Sequence, residues 1–296
     1  MVIGACNFPL AISVVGTDTM SALAVGCPVV VKAHPGHPAT CEKLSALMHE
    51  AAIATEMPRG VFSLLHGGSH RVGHELVQHR ATKAVAFTGS LKGGAALFNL
   101  AATRPEPIPF YAEMGSLNPL FVLPGALCER SEEIARGYIA AVTLFAGQMC
   151  TKPGILVAIE SPDLKSFLEH TTQATRRQAP MAMLNPEIRD NFAASMNQLA
   201  EKTGEVAVSD QEPEPSANEA ACQIFASDVS AFLGDPSLRT EAFGPASIIL
   251  KAKDEGELIE LAKSLEGNLT ASMHVGEGDA ILVDQILPIL ESKVGR

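Results

Sequence analysis

The protein has 296 residues, of which 47% are hydrophobic and 19% are charged, so the chain has enough apolar sequence to bury a large core. A chain of this length predicts about two domains. Its formal net charge of -11 repels nucleic-acid phosphates and anionic lipid headgroups, so we expect neither nucleic acid nor a membrane as a partner.

The apolar stretch at residues 1–31 does not predict a membrane span. A span requires about 20 predominantly apolar residues. Here polar residues, glycines and prolines interrupt the stretch too often, and it lacks the pattern of a cleavable secretion signal. The interrupting residues are Gly4, Asn7, Pro9, Asp18, Gly26 and Pro28.

Strands and helices are predicted to alternate after this stretch. The β-branched run at 27–33 predicts a strand that is buried on both faces, and residues 40–57 predict a helix capped by Thr40. This order predicts an α/β fold in which a parallel sheet is connected by crossover helices. The order is repeated by strands at 60–68 and 83–90 and by helices at 70–79 and 93–102.

The proline-bearing segment at 103–109 is the clearest break along the chain. We therefore predict a first domain at residues 1–112 and a second domain, also α/β, at residues 113–296. The polar stretch at 209–218 carries two prolines and predicts an exposed loop within the second domain.

Cys150 is the strongest candidate nucleophile among the six cysteines. It follows an apolar, helix-like run that ends at Gly147 and it precedes Pro153, which predicts an irregular backbone and an accessible side chain. A free thiol with a pKa of about 8.5 is only a few per cent ionised at neutral pH, so a catalytic cysteine needs a base or electropositive surroundings.

We expect none of the other cysteines to be the nucleophile. Cys6 lies beside Asn7 and is a second candidate for the border of a site, whereas four cysteines predict ordinary packing. These four are Cys27, Cys41, Cys128 and Cys222. Because the six form no CxxC pair and no compact framework, we expect free thiols in a reducing, cytoplasmic setting.

Four polar or aromatic residues are further candidates, each with a plainer alternative. Glu113, near the end of a predicted strand, either protrudes into a crevice or is a solvated charge. Asn7 either donates a hydrogen bond to a developing oxyanion or caps a turn. Glu241 and Phe243 lie in a predicted turn before a strand. Taken alone, this position is only weak evidence that either residue belongs to a site.

The histidine-rich stretch at 66–79 is a candidate for metal binding. His70 and His74 have the i, i+4 spacing that zinc ligands use on a helix. The next histidine, His79, is one position too late for an HExxH motif and is rotated by about 140° around a helix from His74. We therefore expect a solvated helical face and no metal site.

Six stretches taken in order resemble the aldehyde dehydrogenase superfamily: NFPL, PVVVKA, FTGS, EMGSLNP, GQMCTKPG and EAFGP. Their order and spacing make the resemblance specific, and it covers nearly the whole chain. The segment at 7–40 is most similar to an NADP-preferring branch that includes α-ketoglutaric semialdehyde (2,5-dioxopentanoate) dehydrogenases and some bacterial fatty aldehyde dehydrogenases.

The resemblance implies a Rossmann-like cofactor domain, incomplete at its N-terminus, and a catalytic domain, incomplete at its C-terminus. The chain is thus expected to be the central fragment of a longer, homo-oligomeric enzyme. The implied reaction oxidises an aldehyde to a carboxylic acid through a thiohemiacetal and a thioester. Cys150 is then the nucleophile, Asn7 holds the oxyanion together with the Cys150 N–H, and Glu113 is the base for hydrolysis.

The resemblance also implies cofactor contacts. Lys32 matches a residue near the adenine ribose, and Glu241 and Phe243 match residues at the nicotinamide ribose and ring. The pyrophosphate turn is matched by Gly89 and Ser90, with Gly94 as a further cofactor-binding residue. The stretch at 89–94 is not a GxGxxG fingerprint, so the family's own mode of dinucleotide binding is expected.

The cofactor is expected to be NADP, with NAD also usable. NAD-preferring relatives commonly carry an acid three residues after the lysine, where it repels a 2′-phosphate, and this chain has Pro35 there. The expected substrate is 2,5-dioxopentanoate, oxidised to 2-oxoglutarate. A long-chain aldehyde substrate, an acyl-CoA-reducing or acyl-transferring enzyme, and an inactive scaffold are the alternatives; the presence of Cys150, Glu113 and Asn7 argues against a scaffold.

Overall fold

The computed structural model describes residues 1–8, 14–214 and 216–295. Of the NFPL stretch, Asn7 and Phe8 are described, whereas Pro9 and Leu10 lie outside the described residues. The chain divides into two compact units, Met1–Gly115 and Ser116–Arg296. The predicted boundary after residue 112 falls inside a strand of the first unit, Phe110–Met114. The assignment of a function to each unit stays a prediction.

The described part of the first unit contains a sheet of five parallel strands, as the alternating pattern predicts. The strands are β1 (Val2–Gly4), β2 (Val29–Lys32), β3 (Phe62–Leu65), β4 (Val85–Gly89) and β5 (Phe110–Met114). The helices between them are α1 (Thr17–Ala24), α2 (Pro38–Ala54), α3 (His70–Gln78) and α4 (Leu91–Ala102). The spatial order of the strands is β3-β2-β1-β4-β5, so the direction of winding reverses between β1 and β4.

Strand β2 shows why the sheet forms here. Its valines alternate between two clusters, with Val29 and Val31 packed on one face and Val30 on the other. Because a strand presents successive side chains to opposite faces, a continuous β-branched run is favoured where helices cover both faces. This confirms the predicted strand with both faces covered for Val29–Val31, whereas Cys27 and Pro28, at the start of the predicted run, precede the strand and are exposed.

The start of α2 differs from the prediction. The helix begins at Pro38, is preceded by His37 and has no side-chain cap, so Thr40 lies inside the first turn rather than at the cap. Proline is well suited to this first position because its missing N–H would have no helical partner. Sequence analysis also assigned neither β1 nor α1 within the apolar opening stretch.

The second unit contains a mixed six-stranded sheet among its described residues. Its strands are β6 (Leu120–Val122), β7 (Ile155–Ile159), β9 (Gly204–Val208), β11 (Gln223–Asp228), β12 (Ala246–Ala252) and β13 (Ser272–His274). The spatial order is β13-β6-β7-β12-β11-β9, and only the β11–β9 pair is antiparallel among these neighbours. A separate antiparallel pair is formed by β8 (Met181–Ala182) and β10 (Glu219–Ala220).

Helices cover both faces of this second sheet, where two apolar clusters form the core. They are α5 (Pro124–Thr143), α6 (Pro162–Arg176), α7 (Pro186–Lys202), α8 (Val229–Gly234), α9 (Glu255–Ser264) and α10 (Ala280–Glu291). Two short 3₁₀ segments, Leu144–Gly147 and Pro236–Arg239, complete the assigned elements.

The loop predicted at 209–218 lies between β9 and β10 and is mostly exposed, with Pro215 outside the described residues. None of the helices in the described chain combines the length and apolar character needed to cross a bilayer.

Candidate active site

The predicted residues of the first unit lie along the carboxyl edge of its sheet. Asn7 follows β1, Lys32 ends β2, Gly89 ends β4, and Glu113 pairs with Thr88 near the end of β5. Neighbouring strands are about 4.8 Å apart, so these residues follow one another along the edge in the order of their strands. Parallel α/β sheets bind ligands at this edge, beside the place where the winding reverses.

Asn7 is held in place by contacts of the residues just before it. The Ala5 N–H donates to the carbonyl of Lys32 at 2.9 Å, which extends the β1–β2 ladder. The buried His37 places Nε2 2.9 Å from the Cys6 carbonyl and Nδ1 3.3 Å from Cys41 Sγ. Since a carbonyl only accepts, Nε2 donates, and Nδ1 accepts from the Cys41 thiol. Sequence analysis assigned no role to His37.

Glu113 carries a buried carboxylate oxygen, Oε1, that has no hydrogen-bond partner among the described residues. Leaving a buried acceptor unpaired costs about 1–3 kcal/mol. Such groups are uncommon in folded proteins and tend to mark functional positions.

The start of α4 fits an anionic group. Ser90 caps the helix and its Oγ accepts a hydrogen bond from the Gly93 N–H at 3.2 Å. A Cβ on Gly94 would lie 2.1 Å from Met114 Sδ, and one on Gly89 would lie 2.7 Å from the Phe87 ring, so this turn excludes larger residues. The N–H groups at a helix start attract phosphates, so these residues fit the pyrophosphate of a dinucleotide.

Lys32 and His34 differ in charge at this edge. Burial lowers the pKa of Lys32, and Cys41 opposes this shift. Burial, with neighbouring His37 and Lys32, lowers the pKa of His34 to about 4, so the imidazole is neutral at pH 7.

In the second unit, Cys150 lies in a turn and its side chain is exposed, which confirms the predicted irregular backbone and accessible thiol. The helix before it ends at Thr143, earlier than predicted. The intervening segment is left-handed, with φ of 51° at Phe145, 56° at Ala146 and 66° at Gly147. Each non-glycine residue in this region costs of order 1–3 kcal/mol and requires support from its surroundings.

Part of this support comes from a close approach between two glycines. A Cβ on Gly147 would lie 2.1 Å from the Gly244 carbonyl oxygen, and a Cβ on Gly244 would lie 2.3 Å from the Phe192 ring. The Cys150 turn therefore packs directly against the segment that contains Glu241 and Phe243. Both residues precede β12, as predicted; they are half-buried and lie in irregular backbone rather than in a turn.

The glycine contact gives a stability prediction. Gly147→Ala should lower the free energy of unfolding by about 2–4 kcal/mol, because it adds a clash with main-chain atoms and places alanine at a positive φ. Gly137→Ala is the matched control: Gly137 lies in α5, and an added Cβ would have no neighbour within 4 Å. That change should raise the free energy by about 0.5–1 kcal/mol. Urea unfolding measures both, and equal effects would contradict the proposed clash.

Asn118 stabilises the Cys150 turn from the other side. It is 3% exposed with φ of 45°, and its Nδ2 donates to the carbonyls of Cys150 at 2.7 Å and Lys152 at 2.9 Å. Its Oδ1 accepts from Ser116 Oγ at 2.7 Å and from both N and Oγ1 of Thr270 at 3.1 Å. Sequence analysis did not single out Asn118; its position before Pro119 was the available signal.

Lys152 is a second residue that sequence analysis did not single out. Its side chain is 2% exposed, and its Nζ donates to the carbonyls of Ala242 at 2.8 Å and Ala246 at 2.7 Å. Burial lowers the pKa of Lys152 to about 8, whereas Glu241 and Cys222 act in the opposite direction.

The structure thus groups the predicted residues within each unit. Asn7, Lys32, Gly89, Ser90, Gly94 and Glu113 belong to the first unit, and Cys150, Glu241 and Phe243 belong to the second. The convergence of Asn7, Glu113 and Cys150, which belong to different units, stays a prediction.

Two expectations about the cysteines need correction. None of the six forms a disulfide, but Cys27 and Cys128 are exposed rather than packed, because one precedes β2 outside the core and the other lies on the outer face of α5. Cys41 and Cys222 are buried as predicted.

The histidine-rich stretch agrees with the expected solvated face, since His70, His74 and His79 are exposed. Over the part of the chain that the structure describes, no group of three or more histidine, cysteine or acidic residues is placed to hold a metal ion.

Comparison with known proteins gives a family match over most of the chain. The model for "Aldehyde dehydrogenase family" matches residues 1–280. The chain is 43% identical over 296 residues to alpha-ketoglutaric semialdehyde dehydrogenase 2 of Azospirillum brasilense, and 40% identical over 296 residues to alpha-ketoglutaric semialdehyde dehydrogenase of Acinetobacter baylyi. Each alignment covers 100% of this chain and 56% of the relative, so the chain spans about half the length of these curated proteins.

A solved structure has the same fold. The crystal structure of gamma-glutamyl-gamma-aminobutyraldehyde dehydrogenase from Burkholderia cenocepacia matches with a TM-score of 0.82 at 24% identity. The match covers 99% of this chain and 59% of that one.

Proposed function

Because this chain belongs to the aldehyde dehydrogenase family, we propose that it carries out the oxidation of an aldehyde to a carboxylic acid, with Cys150 as the nucleophile. The observation that carries the proposal is the exposed Cys150 thiol on a turn whose main chain is fixed by Asn118. An accessible thiol on a fixed main chain is what a covalent aldehyde oxidation requires.

The proposed reaction begins when the Cys150 thiolate attacks the aldehyde carbon and a carbon–sulfur bond forms. The carbonyl electrons move to oxygen, and the side-chain amide of Asn7 and the Cys150 N–H donate hydrogen bonds to that oxyanion. A bound nicotinamide cofactor supplies the acceptor for the hydride that leaves the thiohemiacetal carbon. A thioester on Cys150 remains.

Hydrolysis of the thioester is assigned to Glu113. Its carboxylate takes a proton from water while the water oxygen attacks the thioester carbon, the carbon–sulfur bond breaks, and the acid is released with the Cys150 thiolate restored. The buried Oε1 of Glu113, which has no hydrogen-bond partner within the described ranges, supports this role, because a base needs an acceptor oxygen that other groups do not occupy.

We propose 2,5-dioxopentanoate as the substrate and 2-oxoglutarate as the product. The support is that the two relatives that are 43% and 40% identical to this chain are named alpha-ketoglutaric semialdehyde dehydrogenases. A panel of aldehydes assayed for kcat/KM tests the proposal, and a higher value for a long-chain aliphatic aldehyde than for 2,5-dioxopentanoate would replace the substrate while leaving the reaction class intact.

For the cofactor, family membership supports a nicotinamide dinucleotide, and we propose a preference for NADP. Lys32 lies at the end of β2, and the third residue after it, Pro35, is exposed and uncharged. An acid at this place would repel a 2′-phosphate, and none is present.

This preference gives a second prediction: kcat/KM should be higher with NADP than with NAD. Pro35→Glu should lower the NADP value by about 10–100-fold, which corresponds to about 1.4–2.7 kcal/mol of added repulsion. The NAD value of the same variant is the internal control and should change by less than about threefold. An unmodified chain that favours NAD would overturn the preference.

We further propose that the protein acts as a homo-oligomer in a reducing cytoplasm. The six cysteines, none of which forms a disulfide, support the reducing setting. Light scattering coupled to size exclusion tests the oligomer, and a monomeric mass would reject it.

A further inference from the structure

Lys152 is a buried lysine two residues after the proposed nucleophile, and the reaction as described gives it no task. Its side chain is 2% exposed and is among the largest fully buried side chains of the described chain. Burying an ammonium costs several kcal/mol unless hydrogen bonds compensate for the lost water. An apolar residue such as methionine would fill the same volume more cheaply, so the lysine indicates a specific role.

The ammonium of Lys152 holds both ends of one short segment. Its two acceptors are the carbonyl of Ala242, between Glu241 and Phe243, and the carbonyl of Ala246, the first residue of β12. Between these two points the segment approaches the Cys150 turn at Gly244. The side chain of Lys152 therefore fixes the segment that is proposed to contact the nicotinamide.

The main chain of Lys152 belongs to the turn itself. Its N–H donates to the Met149 carbonyl at 3.2 Å, and its carbonyl accepts from Asn118 Nδ2 at 2.9 Å. The same amide group of Asn118 donates to the Cys150 carbonyl. One residue thus joins the nucleophile turn, through its backbone, to the segment before β12, through its side chain.

We propose that Lys152 is a positioning residue that keeps the Cys150 turn at a fixed position relative to the segment Glu241–Pro245. This inference rests on the proposed function, in which Cys150 forms the thiohemiacetal and Glu241 and Phe243 orient the cofactor. Hydride transfer requires the reacting atoms to be aligned, and a displacement of about 1 Å is able to cost about 10²-fold in rate. A rigid link between the two segments supplies that alignment.

The ammonium is well suited to this task. A protonated amine is a stronger donor to two carbonyls than a neutral amine is. With its pKa at about 8, Lys152 is mostly protonated at neutral pH despite its burial.

Lys152→Met tests the inference, since it keeps the volume but removes both hydrogen bonds. Turnover should be divided by the amount of Cys150 that iodoacetamide labels, so that each rate refers to an intact thiol. We expect kcat per labelled thiol to fall by about 10²-fold, while KM for the aldehyde changes by less than about threefold. Aldehyde deuterated at the carbonyl carbon should show a larger kinetic isotope effect, because hydride transfer becomes slower relative to the other steps.

A second measurement does not depend on turnover. NADPH binding is followed by the fluorescence emission of the reduced cofactor. The chain contains no tryptophan, so the protein adds no tryptophan emission to this signal. We expect the Kd to rise by about tenfold in Lys152→Met, which corresponds to about 1.4 kcal/mol. Amide hydrogen exchange should become faster in residues 147–152 and 240–246 together, because each segment loses its link to the other.

Lys251→Met is the matched control. Lys251 lies on β12, the strand whose first residue accepts a hydrogen bond from Lys152. Unlike Lys152, it is partly exposed, and its Nζ pairs with Asp228 at 3.0 Å. This change should leave kcat, Kd and exchange of the two segments unchanged. Lys152→Gln keeps a hydrogen-bond donor on a shorter side chain, so its loss of kcat per labelled thiol should be smaller than that of Lys152→Met. It is measured in the same way if the methionine variant does not fold.

Two results would overturn the inference. In the first, kcat per labelled thiol and the NADPH Kd of Lys152→Met both equal those of the unmodified chain. In the second, activity falls only in proportion to the labelled thiol, which would mean that Lys152 supports the fold and not the alignment. If the unmodified chain oxidises no aldehyde, the proposed function fails instead, and the Kd and exchange measurements alone then decide whether Lys152 links the two segments.

Discussion

Cys150→Ala should abolish aldehyde oxidation, with kcat at least about 10⁴-fold below that of the unmodified chain. The thiolate is the atom that bonds to the aldehyde carbon, and alanine offers no group to replace it. The formation of reduced cofactor measures the loss. The fold should be retained, because Cys150 is exposed and the hydrogen bond from Asn118 is accepted by its main-chain carbonyl, which alanine keeps.

Cys128→Ala is the matched control for this variant. Cys128 is, like Cys150, an exposed cysteine outside any disulfide, but it lies in α5. Its removal should leave kcat within about twofold and should leave the labelling of Cys150 by iodoacetamide unchanged. Substantial turnover in Cys150→Ala, or loss of turnover in Cys128→Ala, would show that the nucleophile has been misassigned.

Glu113→Gln should separate the two halves of the reaction. The amide has nearly the same shape but does not accept a proton from water, so hydrolysis should slow by about 10²–10⁴-fold. Acylation of Cys150 does not use this carboxylate. We therefore expect a single burst of reduced cofactor, equal to the number of active sites, followed by little further turnover.

Mass spectrometry of Glu113→Gln should detect a thioester on the peptide that contains Cys150. Glu106→Gln is the control, since Glu106 is an exposed acid paired with Lys83 and should turn over normally. An unchanged steady state in Glu113→Gln would reject the hydrolytic role and favour an enzyme that transfers the acyl group to another acceptor. Absence of any burst would show that Glu113 acts before the thioester forms.

Local sequence patterns were sufficient to predict a parallel sheet in the first unit, although the central strand β1 was missed. Strand β2 is marked by consecutive valines, and glycine turns separate the later strands from their helices. The turn at Cys150 was predictable for the same reason, since Gly147 and Pro153 interrupt an apolar run. These are short-range effects of backbone geometry and burial, and they require only neighbouring residues.

The supports of the turn were not predictable in this way. Asn118 bonds to a carbonyl 34 positions later, and Lys152 bonds to carbonyls 90 and 94 positions later. No periodicity records such contacts, because they depend on which strands become neighbours after folding. The exposure of Cys27 and Cys128 escaped prediction similarly, since a single residue does not reveal which face of an element meets the core.

The left-handed run at Phe145–Gly147 has a consequence for protein engineering. A short peptide copied from this region would carry the thiol into a new host but would relax to a more ordinary conformation, since left-handed residues persist only under external restraint. A successful graft would also have to include Asn118. The host would have to offer a main-chain segment without a side chain at the point where Gly147 makes its close approach. The transferable unit is therefore the turn together with the residues from distant parts of the chain that support it.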